Sequence, residues 1–261
     1  MLVPPDTYPF QAAIDAAGVG PGYSSPTSAP DAWMAALGGL PLLHQPGEGW
    51  VYDTGSHVLA VLVARVSSGS FGAFLDERVF GPLGMTDTGY AVAPSELDRV
   101  PALYRGRPGG GVEEVEPAAD ESWTRPPAFE GGATGLVSTA ADYLTFARML
   151  LARGSHPGGR ILSRRAVDLM TSDQLRPAQR ADAEAFLEPG VGGLGLGVDV
   201  RRAQLWQTPG RFGWDGGTGT SAWTDPAEDL VGILLTQRLM DSPEPPTVLT
   251  DFWLRLYAAL P

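Results

Sequence analysis

The feature that most constrains this chain lies near its end. Leu230 to Gln237 (LVGILLTQ) is an almost unbroken apolar run, the pattern of a strand covered on both faces. Such a strand needs packing partners above and below it. The segments ahead of it also read as strands: Gly193 to Val200 alternates (GLGLGVDV), and Arg211 to Trp214 and Gly219 to Thr224 follow. Pro209-Gly210 and Asp225-Pro226 supply turns, and connections this short join antiparallel neighbours. Thr247 to Leu260 then reads as a helix, with Val248, Phe252, Leu256 and Ala259 set to pack on the sheet. The fold class is α/β: an antiparallel sheet flanked by helices.

The earlier part is mostly helix and loop. A first short helix spans about Pro9 to Ala17 and stops at Gly18. A second, capped by Asp31, carries Trp33, Met34 and Leu37 and stops at Gly38-Gly39. Asp53, Thr54 and Ser56 are cap-type residues ahead of Val58, Leu59, Val61, Leu62, Val63 and Val66, which predict a helix buried around most of its circumference. Tyr52 sits in the loop just before it, where a scaffold can aim a side chain into a cleft. A further helix over Phe71 to Phe80 is expected to stop at Gly81-Pro82.

From Tyr90 to Glu130, prolines and the Gly109-Gly110-Gly111 run leave room for one short strand near Pro101 to Tyr104. Thr139 with Asp142 resembles a capping box for a helix to about Arg153, and helix capping is the role expected for Ser138 too. Ser163 starts another helix, and about Thr171 to Pro189 reads as a polar loop. The domain expectation is one unit, mainly helix and loop over 1–190 and strands plus a terminal helix over 191–261. Its 261 residues are enough to bury a proper core.

Composition removes several functions. Thirty acidic residues against 18 basic ones give a formal charge of -12, which repels nucleic acid phosphates. No cysteine is present, which excludes disulfides, thiolate metal sites and cysteine nucleophiles. His44, His57 and His156 have no ligand spacing, so no metal or other cofactor is expected. No run reaches membrane-spanning length. MLVPPDTYPF has neither the basic start nor the apolar centre of a signal peptide, and cytoplasmic placement is the default expectation.

Residues 46–89 carry a resemblance. Tyr52-Asp53-Thr54 ahead of a helix, and Pro82-Leu83-Gly84-Met85-Thr86-Asp87-Thr88 after the next one, resemble the serine β-lactamase and penicillin-binding-protein superfamily, in its class C β-lactamase-related, esterase-like branch. Gly131 to Thr139 (GGATGLVST) resembles that branch's Gly-Gly-Leu-x-Ser-Thr phrase. The resemblance implies a β-lactamase/transpeptidase-like fold, here incomplete at its N-terminus. It implies a serine hydrolase acting by acyl transfer on a small ester, lactam or short peptide, without cofactor.

The implied roles are specific. Tyr52 matches the tyrosine that serves as general base, and Thr54 ends its motif. Trp214-Asp215-Gly216 stands where Lys-Thr-Gly or His-x-Gly would be, with the Gly217 N–H as oxyanion donor. Tryptophan at 214 removes a cationic anchor and points to an esterase rather than a drug-degrading enzyme. A serine needs a neighbour to take its proton, and a tetrahedral oxyanion needs fixed donors. The family's Ser-x-x-Lys does not occur, because all 18 basic residues are arginine. Three readings remain open: the C-terminal part of a serine hydrolase, a pseudoenzyme binding in the same cleft, or an interaction domain. The first predicts an exposed strand edge and an exposed apolar helix face.

Overall fold

A computed structural model describes residues 9–184, 191–242 and 244–261. Helices Pro9–Ala17 and Pro30–Gly38 form where expected and stop at Gly18, φ 63°, and Gly39. Asp31 lies in the first turn of the second helix rather than capping it, and its carboxylate meets Arg65 at 2.7 Å on the surface. Trp33, Val61 and Phe129 form one buried cluster with Val19.

Helix Thr54–Ser67 corrects one expectation. It buries a single stripe, His57, Ala60 and Val61, while Leu59, Leu62 and Val66 are 60%, 53% and 78% exposed. The sequence supplies apolar residues around nearly the whole helix, and the described elements cover only one side. The next helix differs as well. Phe71–Leu75 runs into a π-helical turn, Asp76–Phe80, and continues as Gly81–Leu83 before stopping at Gly84, φ 69°. Gly81 does not end it, because the wider turn lets the Gly81 N–H reach the Asp76 carbonyl. Pro82 then sits in a new first turn, where its missing N–H costs nothing.

The Tyr90–Glu130 region holds more strand than expected: β1 Leu103–Gly106 pairs with β2 Val112–Glu116. Helix Ala140–Leu151 starts at Thr139, whose hydroxyl accepts from the Asp142 N–H at 3.2 Å. Asp142 does not complete a reciprocal box. Its buried carboxylate accepts from the Asp87 N–H and the Thr88 hydroxyl, each at 2.8 Å, and so fastens the PLGMTDT phrase to this helix. Ser138 does not cap; its hydroxyl pairs with that of Thr88 at 2.8 Å. After the small hairpin of β3 Ser155–His156 and β4 Gly159–Arg160, Ser163 caps helix Arg164–Met170 as expected. Within the predicted polar loop a helix forms over Pro177–Glu184, and 185–190 lie outside the described residues.

The main sheet is antiparallel throughout, in the order β5 Val191–Gly192, β6 Gly197–Val198, β7 Phe212–Gly216, β8 Thr220–Asp225 and β9 Leu230–Leu235. GLGLGVDV is therefore not one strand. It turns at 193–196, with Gly195 at φ 75° and the Gly193 N–H donating to the Leu196 carbonyl at 2.8 Å. Helices Ala140–Leu151 and Thr247–Ala258 both contact β9. Among the described strands β9 is an edge. The terminal helix buries Leu249 and Trp253, while Val248 is 53% exposed, so its packing face is turned one residue from the expected one. Gly232 explains the rotation: a Cβ there would lie 2.5 Å from the Trp253 indole, so the missing side chain is the space the ring occupies. No single helix among the described residues is long and apolar enough to cross a membrane.

Sheet and terminal helix are tied by a buried polar network. Arg211 Nε donates to Asp199 at 2.7 Å, with side chains 4% and 2% exposed. The guanidinium carbon lies 4.8, 4.4 and 5.1 Å from the rings of Trp206, Trp223 and Trp253. Burial pushes the Asp199 carboxyl up in spite of Arg211, so desolvation outweighs the pairing. Removing only the cation would strand the carboxylate.

Arg211→Met is expected to cost about 3–5 kcal/mol at neutral pH. Because Asp199 titrates above its unfolded value, this loss should shrink as pH falls and the carboxyl protonates in both states. Urea unfolding at neutral and acid pH measures both. A second prediction concerns Gly132, where a Cβ would lie 2.0 Å from the Ser56 carbonyl oxygen. Gly132→Ala should lower stability by about 1–3 kcal/mol through forced backbone movement, measured by the same unfolding curves.

Candidate active site

Tyr52 is carried by a strained turn. The Thr54 N–H donates to the Tyr52 carbonyl at 3.1 Å, closing a γ-turn whose central residue, Asp53, has φ 78° and ψ -62°. This conformation is rare outside glycine and costs of order 1–3 kcal/mol, and such strain clusters at functional sites. The turn has a direct consequence for the Asp53 carboxylate. It does not cap the helix; it lies buried 3.9 Å from His57 Nε2, one helical turn on.

The sheet brings the second wall. Trp214 on β7 lies nearly parallel to Tyr52, with ring centroids 5.5 Å apart and 12° between planes, and Trp50 is tilted against Tyr52 at 6.2 Å. Burial raises the Tyr52 phenol above its ordinary value, the neighbouring Asp53 adds to this, and a hydrogen bond with the Trp214 side chain acts in the opposite direction. A phenol so placed holds its proton firmly unless a cation approaches.

Gly216 and Gly217 follow at the end of β7. A Cβ at Gly216 would strike the Thr220 hydroxyl at 2.5 Å, whereas one at Gly217 would meet open space. Gly217 is exposed, its carbonyl accepts from the Met240 N–H, and no described hydrogen bond uses its own N–H. Asp215 is less available: its Oδ1 accepts from the Ser221 hydroxyl and from Trp223 Nε1.

One open cleft of about 2210 Å³ is lined by Tyr52, Asp53, Trp214, Asp215, Gly216 and Gly217. Five of the six residues expected at the site thus share it. Thr54 does not line it, because the γ-turn sends the chain from Asp53 directly into the helix. Sequence reasoning missed the aromatic part of the wall, Trp206, Trp223 and Trp253, and the Asp53–His57 pair. Trp206 lies in the turn region between β6 and β7, Trp223 on β8 and Trp253 on the terminal helix, and nothing local links them. The pair left no local signal either, because Asp53 reads in sequence as a helix cap.

Comparison with known proteins shows the family. The Beta-lactamase family profile matches residues 9–251. Protein Rv1367c of Mycobacterium tuberculosis is 37% identical over 224 residues, covering 81% of this chain and 54% of that protein. Esterase EstB of Burkholderia gladioli is 29% identical, covering 78% and 53%. The chain thus spans about half the length of these curated relatives. The solved structure of EstCE1, described as a hydrolase with promiscuous acyltransferase activity, superposes with a TM-score of 0.77 over 95% of this chain and 66% of its own, at 21% identity, a likeness of fold. With its antiparallel sheet, flanking helices and family-wide match, this chain belongs to the Beta-lactamase family.

Proposed function

We propose that this chain forms the tyrosine-and-glycine side of an acyl-transfer site, esterase-like rather than β-lactam-degrading. The observation that supports the reading is the stack of Tyr52 on Trp214 of β7, the strand that leads into Gly217, in one shared cleft. In the proposed reaction a serine hydroxyl adds to the ester carbonyl while Tyr52 takes its proton. The oxyanion accepts from the Gly217 N–H. Collapse breaks the ester C–O bond, and Tyr52 returns the proton to the departing alcohol. Water then repeats the sequence and frees the acid.

The serine and its lysine partner lie outside these 261 residues in this reading, since no Ser-x-x-Lys occurs within them. That lysine also answers the electrostatic problem at Tyr52. Burial and Asp53 hold the phenol proton, and a nearby ammonium would favour the phenolate. Substrate preference follows from the wall: Trp206, Trp214 and Trp223 offer apolar and π surface, with no lysine to anchor a carboxylate at 214. An ester with an apolar acyl group fits that chemistry. The esterase and acyltransferase names among relatives and fold neighbours support the same choice. The absence of lysine favours one other reading, a pseudoenzyme that binds an ester, peptide or cell-wall fragment without turnover.

The test is hydrolysis of a short-chain p-nitrophenyl ester by the native protein from its source. Tyr52→Phe should lower kcat by about 10²–10⁴-fold with an unchanged melting temperature. Unaltered turnover in the variant would remove Tyr52 from the mechanism. Saturable ester binding with no turnover in the unsubstituted protein would favour the pseudoenzyme.

A further inference from the structure

Behind Tyr52 lies a pair of ionisable side chains that the reaction above does not use. Asp53 and His57 approach to 3.9 Å, with side chains only 6% and 4% exposed. The imidazole is boxed by Trp33, edge-on at 5.6 Å, and by Phe129 at 5.5 Å. Its third wall is the Gly131 backbone, where a Cβ would come within 2.7 Å of His57 Cε1. Among the described residues, Asp53 Oδ2 and His57 Nδ1 have no hydrogen-bond partner although both are buried. Nearby charges on the packed elements are committed elsewhere. Asp31 pairs with Arg65 on the surface, and Glu130 accepts from the Ser70 hydroxyl and the Gly72 N–H. Among the described residues, the ionisable groups that act on this pair are each other and the Tyr52 phenol.

The same Asp53 is the strained residue of the turn that carries Tyr52. A conformation of that kind persists only where its surroundings over-determine it. Glycine would hold the turn without strain, and asparagine tolerates positive φ better than most residues. An aspartate here contributes a charge that neither would.

We propose that Asp53 and His57 are a positioning pair for Tyr52: the charge carried by the pair, held in the turn that bears the phenol, governs when the phenol releases its proton. The inference rests on Tyr52 as the proton-transfer group. An ionised Asp53 beside the phenol disfavours phenolate, and a proton on His57 would cancel much of that field. Burial lowers the proton affinity of His57 and raises that of Asp53, so it disfavours charge on both members of the pair.

The experiment is a tyrosine ¹³Cζ NMR titration of the full native protein carrying ¹³Cζ-labelled tyrosine, with the Tyr52 signal assigned by its loss in Tyr52→Phe. Asp53→Asn keeps the side-chain shape and removes the charge, while Asp53→Gly also relieves the strain. Both should move the Tyr52 midpoint down by about half a unit or more, roughly threefold in proton binding, and by similar amounts. Asp53→Gly should also fold at least as stably as the parent, which keeps the test available if the Asn variant does not fold. A role confined to fixing the turn would change melting temperatures and leave the midpoint where it was. An unmoved midpoint in a folded variant overturns the proposal. The titration does not depend on turnover, so failure of the acyl-transfer reading would show in the Tyr52→Phe kinetics and leave this result standing by itself.

Discussion

The site depends on how closely two backbones approach. Gly132 lies against the first turn of helix Thr54–Ser67, where any side chain would overlap the Ser56 carbonyl, and Gly131 lies against His57. This contact fixes the start of the helix, and with it the γ-turn and Tyr52. Without it the phenol would have no fixed relation to the sheet. The stack on Trp214 is the other half of the constraint, since it joins the helical region to β7 across the cleft. Two glycines and one ring pair thereby convert a loop residue into a directed side chain.

The sheet side is held with equal care by different means. Trp253 fills the space left at Gly232 and donates to the Ser221 hydroxyl at 2.8 Å; Ser221 in turn donates to Asp215. Tyr257 donates to Asp225 at 2.6 Å. With Arg211 and Asp199 these contacts make a continuous polar layer beneath the cleft wall. Such networks hold geometry more than they add stability, because each charge gives up its water to take part. For a site built on the end of β7, fixed geometry is what matters.

Much of this was legible in the sequence. The apolar run of β9, the tight turns before it and the tyrosine ahead of a helix predicted the sheet, its antiparallel sense and the position of Tyr52. The illegible parts share a cause: they depend on partners distant in sequence. Nothing local says that Leu59, Leu62 and Val66 stay exposed while Val61 is buried, because only packing separates the two stripes. The rotation of the terminal helix follows from one missing Cβ on another strand. Asp53 looks like an ordinary cap in sequence, and only the γ-turn reveals that its carboxylate turns toward His57. Helix Thr54–Ser67 keeps an exposed apolar stripe, and β9 is an edge among the described strands.

The central proposal is that this cleft is one side of a serine acyl-transfer site. The most direct test is to treat the native protein, purified from its source, with a fluorophosphonate ester and measure its intact mass and the labelled peptide. The account predicts a mass above 27.5 kDa and a single phosphonyl adduct on a serine followed three residues later by lysine, in sequence outside residues 1–261. A protein of 27.5 kDa that is folded and takes up no label would contradict it.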